Sequence, residues 1–211
     1  MKNNKPILLN YLTFVPDVEA ILESINDPNK SLIVKGIVQR ADSPNQNERI
    51  YPKSVLEREI TKYKKKIAEN TALGELDHPE SSIISGSKVS HNIVEMWWEG
   101  NTLMGKLEIL MTPGFVNLGI ASTMGDHVAN LLRLGIKVGV SSRGVGSVED
   151  VQGVQLVQSD FELICWDVVT NPSTPGSWIF NNPNEKAAYQ ENVEIVKPTL
   201  LEGGLDRFLL N

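Results

Sequence analysis

The stretch from Lys88 to Leu110, KVSHNIVEMWWEGNTLMGKLEIL, decides the fold. Two strand-like runs, Lys88 to Trp98 and Thr102 to Leu110, flank Glu99-Gly100-Asn101, a short glycine-containing turn, and this predicts a β-hairpin. Neighbouring side chains on a strand point to opposite faces, so only one of Trp97 and Trp98 is expected to face outward.

Working outward from the hairpin, Ser31 to Ala41 (SLIVKGIVQRA) reads as another strand, closed by the polar loop Asp42-Ser43-Pro44-Asn45. Pro52 opens a helix with Leu56, Ile60, Tyr63 and Ile67 along one buried stripe, and Lys62, Lys64, Lys65 and Lys66 fall on its wet face. Nearer the N-terminus, Pro16 precedes Val18, Ile21, Leu22 and Ile25 at helical spacing until Asn26-Asp27-Pro28 stops the pattern. Downstream, a helix is expected from Thr123 to Leu134, burying Val128, Leu131 and Leu132, with Gly135 as a left-handed stop. A short buried strand is expected over Ile136 to Val140. Gly144 to Val169 reads as a hairpin or three-stranded meander, with turns at Glu149-Asp150 and Gln152-Gly153.

Strands outnumber helices, and neither a strict βαβ rhythm nor an internal repeat is visible. The pattern fits an α+β domain built on an antiparallel β-barrel or strongly curved sheet flanked by helices. At roughly 150 residues per domain, 211 residues make one large domain, or one domain with a tail.

Composition excludes several classes. Hydrophobic residues at 41% and charged residues at 22% belong to a globular chain, and a net charge of -6 argues against a general nucleic-acid surface. Cys165 is the single cysteine, so no intramolecular disulfide and no CxxC site can form, which fits a reducing compartment. Met1 to Ile25 is broken by Asn10, Pro16, Asp17, Glu19 and Glu23, which suits neither a signal sequence nor a spanning helix. A soluble, intracellular protein is expected.

Only three histidines are present, His78, His91 and His127, so acid-base chemistry near neutral pH has few candidates. His127 falls in the second helix beside Asp126, and His91 lies inside a strand. His78 differs: it sits outside any periodic segment, in Gly74-Glu75-Leu76-Asp77-His78-Pro79-Glu80, among carboxylates and turn residues.

A second feature is Gly139-Val140-Ser141-Ser142-Arg143-Gly144-Val145-Gly146-Ser147. A serine at a sharp strand exit can attack a carbonyl while neighbouring backbone N-H groups or a guanidinium hold the oxyanion, although a Gly-Ser turn or anion nest would also explain the run. Neither serine completes a Gly-x-Ser-x-Gly elbow, and the run is no phosphate-binding P-loop. The third feature is Phe161 to Val169 (FELICWDVV), an apolar strand carrying Asp167 and followed by Thr170-Asn171-Pro172-Ser173. A carboxylate there needs a partner, such as an imidazole, Arg143 or turn N-H groups. Cys165 reads as a small core residue rather than a nucleophile.

Together GELDHP, the EMWWEGN hairpin, GVSSRGVGS and DVVTNPS resemble, in this order, the prohead core protease of tailed bacteriophages, particularly of large myoviruses. The resemblance covers roughly residues 31 to 178. It implies a serine endopeptidase, similar in fold to the herpesvirus assembly protease, that cleaves scaffold and capsid proteins inside the immature head and then itself. By motif, His78 becomes the general base and Ser141 the nucleophile, with Ser142 as rival. Asp167 is preferred as the third member and His91 is the alternative. Arg143, Ser142 and Gly144 are expected at the oxyanion or substrate.

The implied division is a helical extension over 1-30, a protease core over 31-180 and a mobile or self-removed tail over 181-211. No cofactor, metal, nucleic acid or membrane is expected, the partners are capsid and scaffold substrates, and a homo-oligomer is left open. The expected location is the host cytoplasm, inside the immature head. Two other readings stay open: a catalytically inactive capsid or scaffold assembly protein of the same fold, and a metal-dependent hydrolase using Asp77, His78, Glu80 and His91 without any standard zinc-binding spacing.

Overall fold

The computed structural model describes residues 31–79, 81–170, 173 and 179–180; the N-terminal helix expected before residue 30 and the tail from 181 lie outside the described residues. In chain order the elements are β1 (Leu32–Arg40), β2 (Arg49–Ile50), α1 (Lys53–Ala68), β3 (Leu73–Glu75), β4 (Val89–Glu99), β5 (Thr102–Ile109), α2 (Pro113–Leu118), α3 (Met124–Arg133), β6 (Gly139–Val145), β7 (Val148–Val151), β8 (Val154–Val157), β9 (Glu162–Val169) and β10 (Ile179–Phe180). This is a mixed α+β fold made mostly of strands.

The β4-β5 hairpin lies inside the largest sheet, whose order is β10-β1-β5-β4-β3. Its turn passes through Gly100 at φ 59°, a left-handed conformation suited to glycine. Leu103 and Leu107 of β5 face Trp98 and Ile93 of β4 on the core side, whereas Trp97 lies on the other face with Glu95 and Lys106. The other strands form a three-stranded sheet, β2-β8-β7, and the pair β6-β9. Among the described residues the strands thus make three sheets, not one closed ring. The β6-β9 pair meets the segment after β3, at the edge of the large sheet, through an isolated parallel bridge, Leu76 to Val168.

The core lies between the inner face of β1, β5 and β4, the helices α1 and α3, and the β6-β9 pair. Trp166 of β9 is fully buried and meets the Tyr63 ring of α1 edge-on, with centroids 4.9 Å apart. The stripe on α1 buries Leu56, Ile60 and Tyr63, while Lys62, Lys64 and Lys65 are exposed. Lys66 instead lies along the protein and donates to the Ile164 carbonyl at 3.0 Å. Helix α3 begins with a capping box between Thr123 and Asp126.

Two boundaries differ from the sequence reading. The strand expected over Ile136 to Val140 starts at Gly139 and runs on to Val145. The reason lies at the end of α3, where Gly135 (φ 71°) and Ile136 turn back to donate to the Leu132 and Leu131 carbonyls. Ser141, Ser142 and Arg143 consequently lie inside a strand rather than at its exit. Glu149 and Asp150 belong to β7, and the tight turn is Gln152-Gly153, both with positive φ. The short elements β2, β3 and α2 are too brief to leave a periodic signal.

Candidate active site

The site begins with the register of the β6-β9 pair. Ser141 stands opposite Asp167, Ser142 opposite Trp166, and Arg143 opposite Cys165. Opposed residues of an antiparallel pair share a face and successive residues alternate. Ser141, Arg143, Cys165 and Asp167 therefore share one face, and Ser142 lies on the opposite face with the core residue Trp166. Ser141 is buried, and its Oγ lies 3.0 Å from the Ser173 Oγ.

His78 reaches this face from β3. After Glu75 the chain bridges β9 through Leu76, and the Asp77 N-H donates to the Val168 carbonyl at 2.8 Å. Asp77 then takes φ 67°, turning the chain so that the His78 Nδ1 lies 2.8 Å from Asp167 Oδ2. The His78 side chain is 39% exposed whereas Asp167 is wholly buried. With Nδ1 donating to the carboxylate, the lone pair belongs to Nε2, which has no hydrogen-bond partner among the described residues. A basic nitrogen oriented by a buried carboxylate can accept a proton from a hydroxyl.

Asp167 is densely held. Oδ2 accepts from His78 and from Arg143 Nε at 2.8 Å, and Oδ1 accepts from the Glu75 N-H at 3.0 Å and from the Arg143 guanidinium at 3.2 Å. The Cys165 thiol also donates to Oδ1, at 3.3 Å. Burial raises the carboxyl pKa, but the hydrogen bonds from His78, Glu75, Arg143 and Cys165 outweigh it and hold Asp167 below the usual carboxylate range. The Cys165 thiol is pushed up to about 12, first by burial and then by Asp167, so it is neutral and no nucleophile.

The sequence reading offers Arg143 both as a partner of Asp167 and at the oxyanion or substrate, and the structure shows the first of these contacts. The Arg143 guanidinium is directed at Asp167, at Glu75 Oε2 (2.7 Å) and at the Ser81 carbonyl (2.6 Å), so all three nitrogens are committed within the protein. Gly144 is exposed, and a Cβ there would lie 2.5 Å from the Phe161 ring. Ser142, the third residue expected at the oxyanion or substrate, has its side chain on the core face. His91, the alternative third member, has its ring nitrogens engaged elsewhere. It is fully buried, with Nδ1 2.9 Å from Ser90 Oγ and Nε2 3.1 Å from the Trp166 carbonyl, and burial lowers its pKa to about 4. His127 is exposed on α3.

The sequence reading missed Glu75 and the Ser173 contact with Ser141. Glu75 belongs to the same GELDHP motif as His78, and a carboxylate on a short strand beside Gly74 needs a buried cation, which Arg143 supplies. Among the described residues no three His, Cys, Asp or Glu side chains are grouped to hold a metal ion.

Comparisons with known proteins point the same way as this geometry. Residues 10–190 match the family described as prohead core protein serine protease. The prohead core protein protease of Enterobacteria phage T4 is 34% identical over 151 residues, spanning 70% of this chain and 68% of that protein. The solved structure of the bacteriophage T4 capsid assembly protease, gp21, superposes with a TM-score of 0.61 at 32% identity, covering 67% of this chain and 84% of that one.

Proposed function

The chain belongs to the prohead core protein serine protease family, and on that premise we propose that it is a serine endopeptidase that cleaves scaffold and capsid proteins, and then itself, inside the immature phage head in the host cytoplasm. The observation that carries this reading is the 2.8 Å contact between His78 Nδ1 and Asp167 Oδ2, made on the strand face that also presents Ser141.

In the proposed mechanism Ser141 Oγ attacks the scissile carbonyl as His78 Nε2 takes its proton. Asp167 keeps the proton on Nδ1 and stabilises the imidazolium that forms. Backbone N-H groups around Ser141 carry the oxyanion, since the Arg143 side chain acts through Asp167. His78 then protonates the leaving amine, and water, activated by the same imidazole, frees the acyl-serine. Face parity favours Ser141 over Ser142 as nucleophile, and the contact with His78 favours Asp167 over His91 as third member.

The finer parts of the reading follow the family. The sheets are read as a strongly curved, herpesvirus assembly protease-like wall, supported by the bulges in β1, β4 and β9 and by the Leu76–Val168 bridge. The protease core is assigned to 31-180, with 1-30 and 181-211 left for recruitment or self-removal. A metal-dependent alternative is weakened by His91, whose two ring nitrogens are already engaged inside the core.

The test is incubation of the full chain with capsid and scaffold proteins. Wild type yields discrete fragments, Ser142→Ala does the same, and His78→Ala and Ser141→Ala yield none. Cleavage by Ser141→Ala would overturn the serine mechanism, and its loss on exhaustive chelation would favour the metal-dependent reading. A wild-type chain that binds its partners without cutting them would favour the inactive assembly protein.

A further inference from the structure

We propose that Glu75 is a positioning residue for this protease, acting through Arg143 to leave the charge of Asp167 available to His78 and to pin the loop that carries His78. The inference rests on the serine-protease reading above.

The geometry has two parts. Glu75 is fully buried and uses both carboxylate oxygens. Oε2 accepts from Arg143 Nη2 at 2.7 Å, and Oε1 accepts from the Ser85 N-H at 2.6 Å. Arg143 in turn holds the Ser81 carbonyl at 2.6 Å. His78 sits in the connection between β3 and β4, and both members of the buried pair grip that connection beyond it. The Glu75 backbone N-H adds a bond to Asp167 Oδ1, so one residue touches the orienting carboxylate, its cation and the loop of the base.

The second part is charge. Beside an unshared guanidinium, the Asp167 carboxylate would form a neutral pair with little left to stabilise an imidazolium. Two carboxylates around one guanidinium leave one net negative charge on the buried cluster. A proton arriving on His78 neutralises it. The cluster is thus balanced when His78 is protonated, which is its state while the tetrahedral intermediate exists. The charged and titratable groups facing Asp167 are Glu75 of β3, Arg143 of β6, Cys165 of β9 itself and His78 of the loop, with Tyr63 of α1 and His91 of β4 close enough to feel it. Tyr63 is driven further toward its neutral form by burial, and Cys165 and His91 are neutral near pH 7, so the balance is set by Glu75, Arg143, Asp167 and His78.

The experiment compares full-length wild type, Glu75→Gln and Ser141→Ala on the capsid and scaffold substrates across pH. Glu75→Gln is expected to lower kcat at least about tenfold with KM little changed, and to move the acid limb of kcat/KM to lower pH by about half a unit. If Glu75→Gln fails to fold, Glu75→Gln with Arg143→Met decides the matter, because it removes the buried pair as a whole and keeps the net charge of the cluster, with Asp167 still held by the Glu75 N-H, Cys165 and His78. That double variant is expected to keep the acid limb of wild type while losing at least about tenfold in kcat, because the loop is no longer pinned. Wild-type kcat and pH profile in Glu75→Gln, or wild-type kcat in the double variant, overturns the inference while Ser141→Ala remains inactive. Activity persisting in Ser141→Ala brings down the protease reading and this inference with it.

Discussion

Ser141 and Asp167 face each other across the β6-β9 pair, so the candidate nucleophile and the carboxylate that holds His78 are neighbours by strand register. A register is a discrete quantity: a slip by one residue would carry every one of these side chains to the other face. The alignment is fixed on both sides, by Trp166 in the core and by the Arg143 ion pairs on the site face.

The two adjacent serines should therefore differ sharply. Ser141→Ala is expected to reduce kcat by at least about 10³-fold, whereas Ser142→Ala stays within a few-fold of wild type, as measured by fragment release from a capsid substrate. Equal losses in both variants would mean that the face assignment is wrong.

Asp167→Asn should act through the imidazole. An amide can present its NH₂ to His78 and select the wrong tautomer, so kcat is expected to fall by about 10³ to 10⁴. It also breaks the buried pairing with Arg143, so the melting temperature should fall in the same variant. Unchanged kcat with intact circular dichroism would remove Asp167 from the mechanism.

Gly74 is expected to tolerate no side chain. A Cβ there would lie 2.1 Å from the Trp166 carbonyl and 2.5 Å from the His91 ring, both inside the core. Gly74→Ala should cost about 1–3 kcal/mol or more, because backbone rather than a flexible chain end must yield. Urea unfolding measures this, and a midpoint equal to wild type would contradict the packing.

His91 should make stability depend on pH in a defined window. The unfolded imidazole takes up a proton near its ordinary value of 6.5, whereas burial lowers the folded value to about 4. Between these limits the unfolded chain binds more protons, so stability falls as the pH drops from 6.5 toward 4, by about 3 kcal/mol in all. The carboxyls of Glu59, Asp126 and Asp167, held low by hydrogen bonds that outweigh their burial, begin to add losses below roughly pH 5. Denaturant midpoints at pH 7.5, 6 and 5 should decline in wild type and much less in His91→Gln. Parallel declines would assign the dependence to other groups.

How far the sequence could be read varied with the range of the signal. The hairpin around Gly100, the stripe on α1 and the extent of α3 up to its stop at Gly135 are legible because each is encoded within a dozen residues. Helix α2 is not, although Thr112 caps it and Pro113 opens it, because six residues are too few to show a period. In the site, scarcity of histidine drew attention to His78, and the glycine-framed serines to Ser141. Choosing between Ser141 and Ser142 requires the register against β9, and so does choosing for Arg143 between Asp167 and the oxyanion, because its partners are distant in sequence. Glu75, 68 residues before Arg143, leaves no local trace of that pairing.

The distances along the chain have a kinetic meaning. His78 and Asp167 are 89 residues apart and Glu75 and Arg143 are 68 apart, so the site rests on the slowest kind of contact to form, that between remote segments. No nascent or partly folded chain can assemble it before β9 has paired with both β6 and the segment after β3. The candidate site therefore forms late in folding, only once these remote segments have paired. Activity and the burial of Trp166, followed by fluorescence, should then appear in a single refolding phase.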